Sequence, residues 1–297
     1  MNGVIVVNKP AEFTSFDVVA VARRICGERR IGHTGTLDPN ATGVLVLLIG
    51  KAARAQDIIP NHDKEYEAKF RLGMTTDTLD IWGEVTSQVE SAVTKAQLEA
   101  ALDSFKGEIE QIPPMYSAVS VNGQRLYDLA RKGVEVERKP RRAVIYELGL
   151  TAFDEKSQSG ALRIKCSKGT YIRTLIDDLG RTLGVGAVMT SLDRTGACGF
   201  SIEESFTLDE LKELAEKGEL ESAVRTCESL FEEYPELTVS DAQAKRFSNG
   251  GELDRGRTAL RQRECPQGEI LRVKSRDGKF LGLGVIKDEK IKIFKLF

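Results

Sequence analysis

The chain opens on a short apolar run, Gly3 to Val7, that closes at Asn8-Lys9-Pro10, the form of a buried strand ended by a proline. Thr14 and Asp17 follow at capping-box spacing, and Val18, Val21, Ala22 and Ile25 recur at helical intervals, which predicts a helix. Val44 to Ile49 is a second continuous apolar run and reads as another buried strand. Over Glu65 to Leu72 the pattern changes to alternation. Tyr66, Ala68, Phe70 and Leu72 share one face, with Glu65, Glu67, Lys69 and Arg71 on the other, as in a half-buried strand. TKAQLEAALDSF is an amphipathic helix whose capping box is Thr94 and Gln97. After Pro113-Pro114, SAVSVNGQRLYDLARKG reads as a strand, an Asn-Gly turn and a short helix stopped by Gly133. Leu162, Ile164 and Cys166 alternate as a strand, and SKGTYIRTLIDDLGRTLG is a turn into a helix with Ile172, Leu175, Ile176 and Leu179 on one face. Thr207 and Glu210 cap an acidic helix. From about Leu237 short alternating pieces (ILRVKS, FLGLGVI, KIKIF) predict a small β-rich C-terminal unit, with the acidic stretch before it as connector.

Composition changes this picture little: 297 residues, 41% hydrophobic and 30% charged, are enough for one large core and a small second unit. Charge changes it more. The net charge of −2 hides an acidic segment, 202–236, with twelve acids and three bases. Residues 123–142 carry seven bases against three acids, and residues 245–279 ten against five. Two basic blocks beside one acidic block suit a polyanionic partner. The five cysteines are odd in number and far apart, which excludes CxxC motifs and argues against a disulfide framework. No apolar run approaches the ~20 residues of a membrane span, and Val4 to Val7 is shorter than a signal h-region. A cytoplasmic location is expected.

Metal and hydrolase chemistry find no footing. The two histidines, His33 and His62, have no ligand spacing, and there is no GxSxG elbow. GVLVLLIGKA is no phosphate loop, because six residues separate Gly43 from Gly50 and Ala follows Lys51. What remains is GHTGTLDPNATGVLVLLIG, where Asp38 stands between a glycine-rich turn and a proline just before the apolar strand. Asp-Pro is a common turn starter. Yet glycines at 32, 35 and 43 would let a ligand approach the backbone closely, and a strand gives the carboxylate a rigid base, as a nucleophile requires.

GHTGTLDPNATGVL resembles the signature loop of the TruB-type tRNA pseudouridine synthases. Further segments resemble that family's pattern in the same order: NKP at 8–10, KEYEAKFRLGMTTDTLDIWG at 64–83, PPMYSAVSVNGQRLYDLARKG at 113–133, SKGTYIRTLIDDLG at 167–180 and SLDRTGACGF from Ser191. The resemblance is strong over residues 1–200 and rests on position and texture beyond them. It implies an α+β pseudouridine-synthase core around a mixed, largely antiparallel sheet. That core would span 1–236, with an RNA-contacting insertion at about 112–142, and a small β-rich PUA-like RNA-binding domain would span 237–297. By the same resemblance Asp38 is the catalytic nucleophile, attacking uridine 55 of the tRNA T arm and loop at the sugar or at the base ring. Arg173 pairs with it, and Tyr66 stacks on the flipped uracil and takes the C5 proton. His33, Tyr171 and Leu192 contact the substrate. Lys9 and Pro10 support the loop from below, with Asp80 a polar partner near the base. No cofactor, metal or membrane is implied, since nothing is oxidised and nothing leaves; a monomer is expected.

Two other readings stand beside this one. A tRNA-folding chaperone that binds without reacting would not need Asp38, Tyr66 and Arg173 together. A glycoside or nucleoside hydrolase would need a second carboxylate partner for Asp38, and the sequence offers no obvious one.

Overall fold

The computed structural model describes residues 1–117, 119–121 and 123–297. The chain begins with β1 (Gly3–Lys9), α1 (Ser15–Cys26), β2 (Ile31–His33) and β3 (Thr42–Ile49). Next come β4 (Lys64–Leu72), a hairpin of β5 (Met74–Thr76) and β6 (Val85–Gln88), α2 (Lys95–Asp103) and β7 (Gly107–Gln111). An excursion carries β8 (Ser120–Val121), β9 (Gln124–Arg125) and α3 (Leu126–Ala130). The Asn122 half of the expected Asn-Gly turn lies outside the described residues. The chain returns through β10 (Arg141–Asp154), β11 (Ser159–Cys166), α4 (Ile172–Thr182), β12 (Ala187–Ala197), β13 (Phe200–Ser201) and α5 (Leu208–Glu216).

These strands make one sheet in the order β1-β3-β12-β4-β11-β10-β7, with β2 beside β3 and β13 beside β12. Its pairings are antiparallel except β3 with β12, so the sheet is mixed and largely antiparallel. The continuous apolar runs of β1 and β3 follow from burial on both faces. Val4, Val6, Val46 and Leu48 pack toward Phe231, while Ile5, Val7, Leu45 and Leu47 pack toward Val18 and Ala22 of α1 and Leu211 of α5. Strand β4 alternates as its sequence does, with Tyr66, Ala68, Phe70 and Leu72 buried. That face meets Leu98 and Leu102 of α2 and Leu175, Ile176 and Leu179 of α4. The boxes at Thr14/Asp17, Thr94/Gln97 and Thr207/Glu210 all form.

The acidic stretch is not a free connector. Phe206 exchanges backbone bonds with Val6 and Asn8 at 2.9 Å, and Arg225 with Val4 at 2.8 and 2.9 Å. Leu208, Leu211 and Leu220 are buried in the core beside α1. Its acids form the wet side of a segment whose apolar residues cover the edge of β1, which would otherwise be unpaired. Beyond it, β14 (Glu236–Val239), α6 (Asp241–Ser248), β15 (Leu253–Asp254), β16 (Ile270–Ser275), β17 (Phe280–Lys287) and β18 (Lys290–Leu296) build a second sheet, ordered β14-β16-β17-β18-β15. The sequence reading missed α6, capped by Ser240 and Gln243, because only eight residues carry its pattern. Phe231 meets Phe280 and Phe297 at ring-centroid distances of 6.2 and 5.5 Å, and Glu228 pairs with Arg272 at 2.7 Å, which fastens this sheet to the first. Among the described residues no helix is long and apolar enough to cross a membrane.

Candidate active site

The site forms where β3, β12 and β4 lie side by side. Register places Arg194 opposite both Gly43 and Tyr66, and Leu192 opposite Ala68. The loop before β3 is pinned from both sides. Below it, Lys9 Nζ is fully buried and donates to the carbonyls of Pro10, Phe13 and Pro39 at 2.8, 2.6 and 2.9 Å. From within, Arg194, also fully buried, donates Nε to the Val44 carbonyl at 2.6 Å and Nη2 to the Gly35 carbonyl at 3.1 Å. Ser15 Oγ accepts from Leu37 N at 2.8 Å. Three separate elements thus fix the backbone of the residue that carries the carboxylate.

Gly43 answers one of the sequence questions differently from expectation. It stands at φ +100°, and a Cβ there would fall 2.3 Å from the Arg194 carbonyl oxygen. Its smallness admits β12, not a ligand. Gly35 does border the cavity, with the Lys64 stem the nearest neighbour of a Cβ, at 3.1 Å.

Asp38 meets Arg173 side-on, Nε to Oδ2 at 3.0 Å and Nη2 to Oδ1 at 3.3 Å. Arg173 is 6% exposed; each of its Nη nitrogens makes two hydrogen bonds, and Nε faces the Asp38 carboxylate as an ion pair. Nη1 reaches the Thr78 carbonyl at 3.0 Å and Asp80 Oδ2 at 3.3 Å, and Nη2 also reaches the Tyr116 carbonyl at 2.9 Å. Asp38 keeps 40% of its side chain open, toward a cavity of about 300 Å³. That volume is at the small end of the ~300–1,000 Å³ of sites that enclose one small molecule. Burial raises the Asp38 carboxyl above its ordinary value; Arg173 opposes the rise, Asp80 adds to it, and Lys9 again opposes. Burial likewise pushes Lys9 down to about 8, with Asp38 resisting. Together these contacts make a carboxylate gripped by a fork of donors that works against the cost of burying its charge, with a free side facing empty space.

The cavity brings together Asp38, Tyr66, Tyr171, Arg173 and Leu192 among the expected residues. Tyr66 is 5% exposed, and burial pushes its hydroxyl up to about 12 against the pull of the Arg194 guanidinium. Tyr171 precedes α4 and is held through its backbone by Gln111, at 2.9 and 3.1 Å. His33 lies on β2 outside the cavity lining, its Nδ1 buried without a partner among the described residues, and burial lowers its pKa. Pro10 is exposed, and only its carbonyl takes part, accepting from Lys9. Asp80 lies behind Arg173 rather than in the lining, where Thr78 Oγ1 also donates to it at 2.7 Å. It is thus a second carboxylate near Asp38 after all, but one turned to Arg173 instead of the cavity, which is not the facing pair a glycosidase uses.

Lys64, Ser117, Lys168 and Arg194 were missed as site residues. Lys64 and Arg194 were legible by period: Lys64 stands two before Tyr66, and Arg194 two after Leu192, each on the inward face of its strand. Among the described residues Ser117 Oγ is buried without a partner at the cavity wall, brought there by the excursion between β7 and β10, and no local pattern announces it.

Residues 23–172 match the family model described as TruB family pseudouridylate synthase (N terminal domain). Residues 173–232 match tRNA pseudouridylate synthase B C-terminal domain, and 235–293 match Pseudouridine synthase II TruB, C-terminal. The chain is 41% identical over 297 residues, 100% of its own length and 99% of the other's, to a protein of Clostridium tetani named tRNA pseudouridine synthase B. A protein of the same name from Geobacillus thermodenitrificans is 42% identical over 261 residues, 85% of this chain and 86% of the relative. Among solved structures, a chain in the crystal structure of a Cbf5-Nop10-Gar1 complex superposes with a TM-score of 0.74 at 25% identity, covering 99% of this chain and 84% of that one.

Proposed function

The chain belongs to the TruB family of pseudouridylate synthases, and from that premise we propose that it isomerises uridine 55 in the T loop of tRNA with Asp38 as nucleophile. The observation that carries this reading is the Asp38–Arg173 fork at a cavity walled by Tyr66. A uridine must leave its stack to enter a space of this size, and an aromatic ring at the wall offsets the lost stacking. Asp38 adds to the flipped uridine, and the C1′–N1 bond breaks. The uracil turns within the cavity, and C5 bonds to C1′. C5 then gives up its proton and N1 takes one, so every atom is retained and Asp38 is released as a carboxylate. Arg173 keeps the nucleophile ionised and aimed. Tyr66 stacks on the base and, through its hydroxyl, takes the C5 proton. The excursion at about 112–142 and the C-terminal sheet lay their basic residues along the tRNA arm, and the enzyme works as a cytoplasmic monomer.

Tritium release from C5-tritiated uridine in a tRNA transcript tests the reaction. Release from the transcript, and none after uridine 55 is replaced by cytidine, is the expected result. Release that survives the replacement would overturn the position. Loss of free base would overturn the reaction in favour of hydrolysis. Tight binding with no release would leave the protein a chaperone.

A further inference from the structure

Charge around the cavity does not balance. Four cationic side chains there are buried, Lys9 and Arg194 fully, Arg173 to 6% and Lys64 to 9% exposure. The carboxylates set among them are Asp38 and Asp80, and Arg173 engages both. Lys9 and Arg194 spend their donors on loop carbonyls. Lys64 is different. Its Nζ donates to the His62 carbonyl at 2.8 Å, one bond for three donors, and among the described residues it forms no ion pair. Its stem passes Gly35 beside Arg194 and its side chain lines the cavity. Lys168 lines the same cavity from an exposed position in the turn before α4. That turn is stiff: Thr170 Oγ1 donates to the Ser167 carbonyl at 2.9 Å, and Ser167 Oγ accepts from Val144 N at 2.9 Å. Both lysines bear on His62, whose pKa is lowered first by burial and then by Lys168 and Lys64.

A buried ammonium without an anion is costly, so a wall built this way is short of negative charge. An RNA strand carries that charge next to every base. We propose that Lys64 and Lys168 form a phosphate subsite that takes a backbone phosphodiester flanking the target uridine. The subsite rests on the reading that a uridine in RNA is the substrate. A phosphate anchored there holds the ribose at the cavity mouth while the base enters, and the largely desolvated Lys64 ammonium holds it more strongly than a surface lysine would. Lys64 is then a binding residue and not a strut for the His62 segment.

Coupling between protein and phosphate tests this. tRNAs carrying one neutral methylphosphonate linkage, 5′ or 3′ of the target uridine, are compared with unmodified tRNA on the wild type, Lys64→Met and Lys168→Gln. On the wild type, one of the two linkages should raise KM about ten- to a hundredfold, the loss expected of a charge-assisted bond. On Lys64→Met the same linkage should add little, because its partner is already gone, and turnover at saturation should stay close to that variant's value on unmodified RNA. Lys168 is exposed, so Lys168→Gln reads the same coupling in a chain whose folding is not at issue. Losses that simply add, for both linkages and both variants, overturn the subsite. If the wild type binds tRNA but makes no pseudouridine, the reaction falls, and the subsite is judged from the same coupling in Kd.

Discussion

Arg173 holds Asp38 from the side, with Nε 3.0 Å from Oδ2 and Nη2 3.3 Å from Oδ1, across 135 residues of chain. The same guanidinium takes Asp80, the Thr78 carbonyl and the Tyr116 carbonyl, so the nucleophile loop, the turn after β5 and the excursion after β7 all meet on one side chain. Anything that moves Arg173 moves all three segments.

Asp38→Asn keeps the shape of the side chain and removes the nucleophile. Turnover should fall by at least ~10⁴, the scale seen when a covalent catalyst is removed. tRNA affinity should stay within a few-fold of wild type by filter binding. Pseudouridine formation at a substantial fraction of the normal rate would sink the assignment of Asp38.

Arg173→Lys retains charge but not the fork. At 6% exposure the Arg173 guanidinium serves two carboxylates and two carbonyls, and the three donors of a lysine, radiating from one atom, cannot satisfy all four. Thermal unfolding should show a loss of stability as well, of the order of the ~3–5 kcal/mol for breaking a buried pair. An unchanged Tm with a lowered rate would mean that the contacts to Thr78 and Tyr116 carry no weight.

Tyr66→Phe keeps the stacking face and deletes the hydroxyl. Burial pushes that hydroxyl up to about 12 with Arg194 already beside it, so it rests neutral at pH 7, and this variant tests whether it takes the proton at all. Turnover should fall ~10²–10⁴-fold, the worth of a positioned proton acceptor, with affinity held by the ring. Full activity in this variant would reduce Tyr66 to a stacking surface.

In the proposed reaction Asp38 acts as the anion, and burial raises its carboxyl above the ordinary 3.8. Between the ordinary and the raised value the folded chain binds the proton that the unfolded chain has lost, so this group's contribution to stability falls as pH rises through that window. The acid limb of the rate follows the folded value and should lie above 3.8. Asp80 raises Asp38 by charge, so Asp80→Asn should move the limb to lower pH, besides slowing the reaction through the disturbed Arg173. A limb that stays put would identify the titrating group as something other than Asp38.

Basic residues at the end of the excursion should act on RNA and not on the chemical step. Arg138 is unsuited to the test, since it donates to the Pro113 carbonyl at 3.2 Å and pairs with Glu135. Lys139, Arg141 and Arg142 are exposed. Neutralising these three should flatten the salt dependence of tRNA binding by about two units, at ~0.7 per phosphate contact, with single-turnover rate at saturation preserved. Lys156, Lys212 and Lys217, exposed and outside both the excursion and the C-terminal sheet, serve as the control, and equal losses from both triple variants would show a general charge effect.

The local pattern by itself determined a good deal. Alternation over Glu65 to Leu72 fixes which face of β4 is buried, and therefore that Tyr66 points inward, since side chains reverse at every residue. Capping boxes placed the starts of α1, α2 and α5 because both partners lie within one turn. The glycines and proline around Asp38 marked a tight turn before a buried strand, and the motif's likeness to a known family named the chemistry. Contacts between distant segments were invisible. Asp80 reaches Arg173 across 93 residues, and Arg194 faces Tyr66 only through the register of β12 on β4. Gly43 is required by the close approach of β12, and the acidic stretch is required by the open edge of β1. Periodicity is set by each residue's neighbours in the chain. Which buried cation meets which carboxylate, and which is left facing the cavity, is set by sheet register and helix packing, and only the tertiary structure decides it.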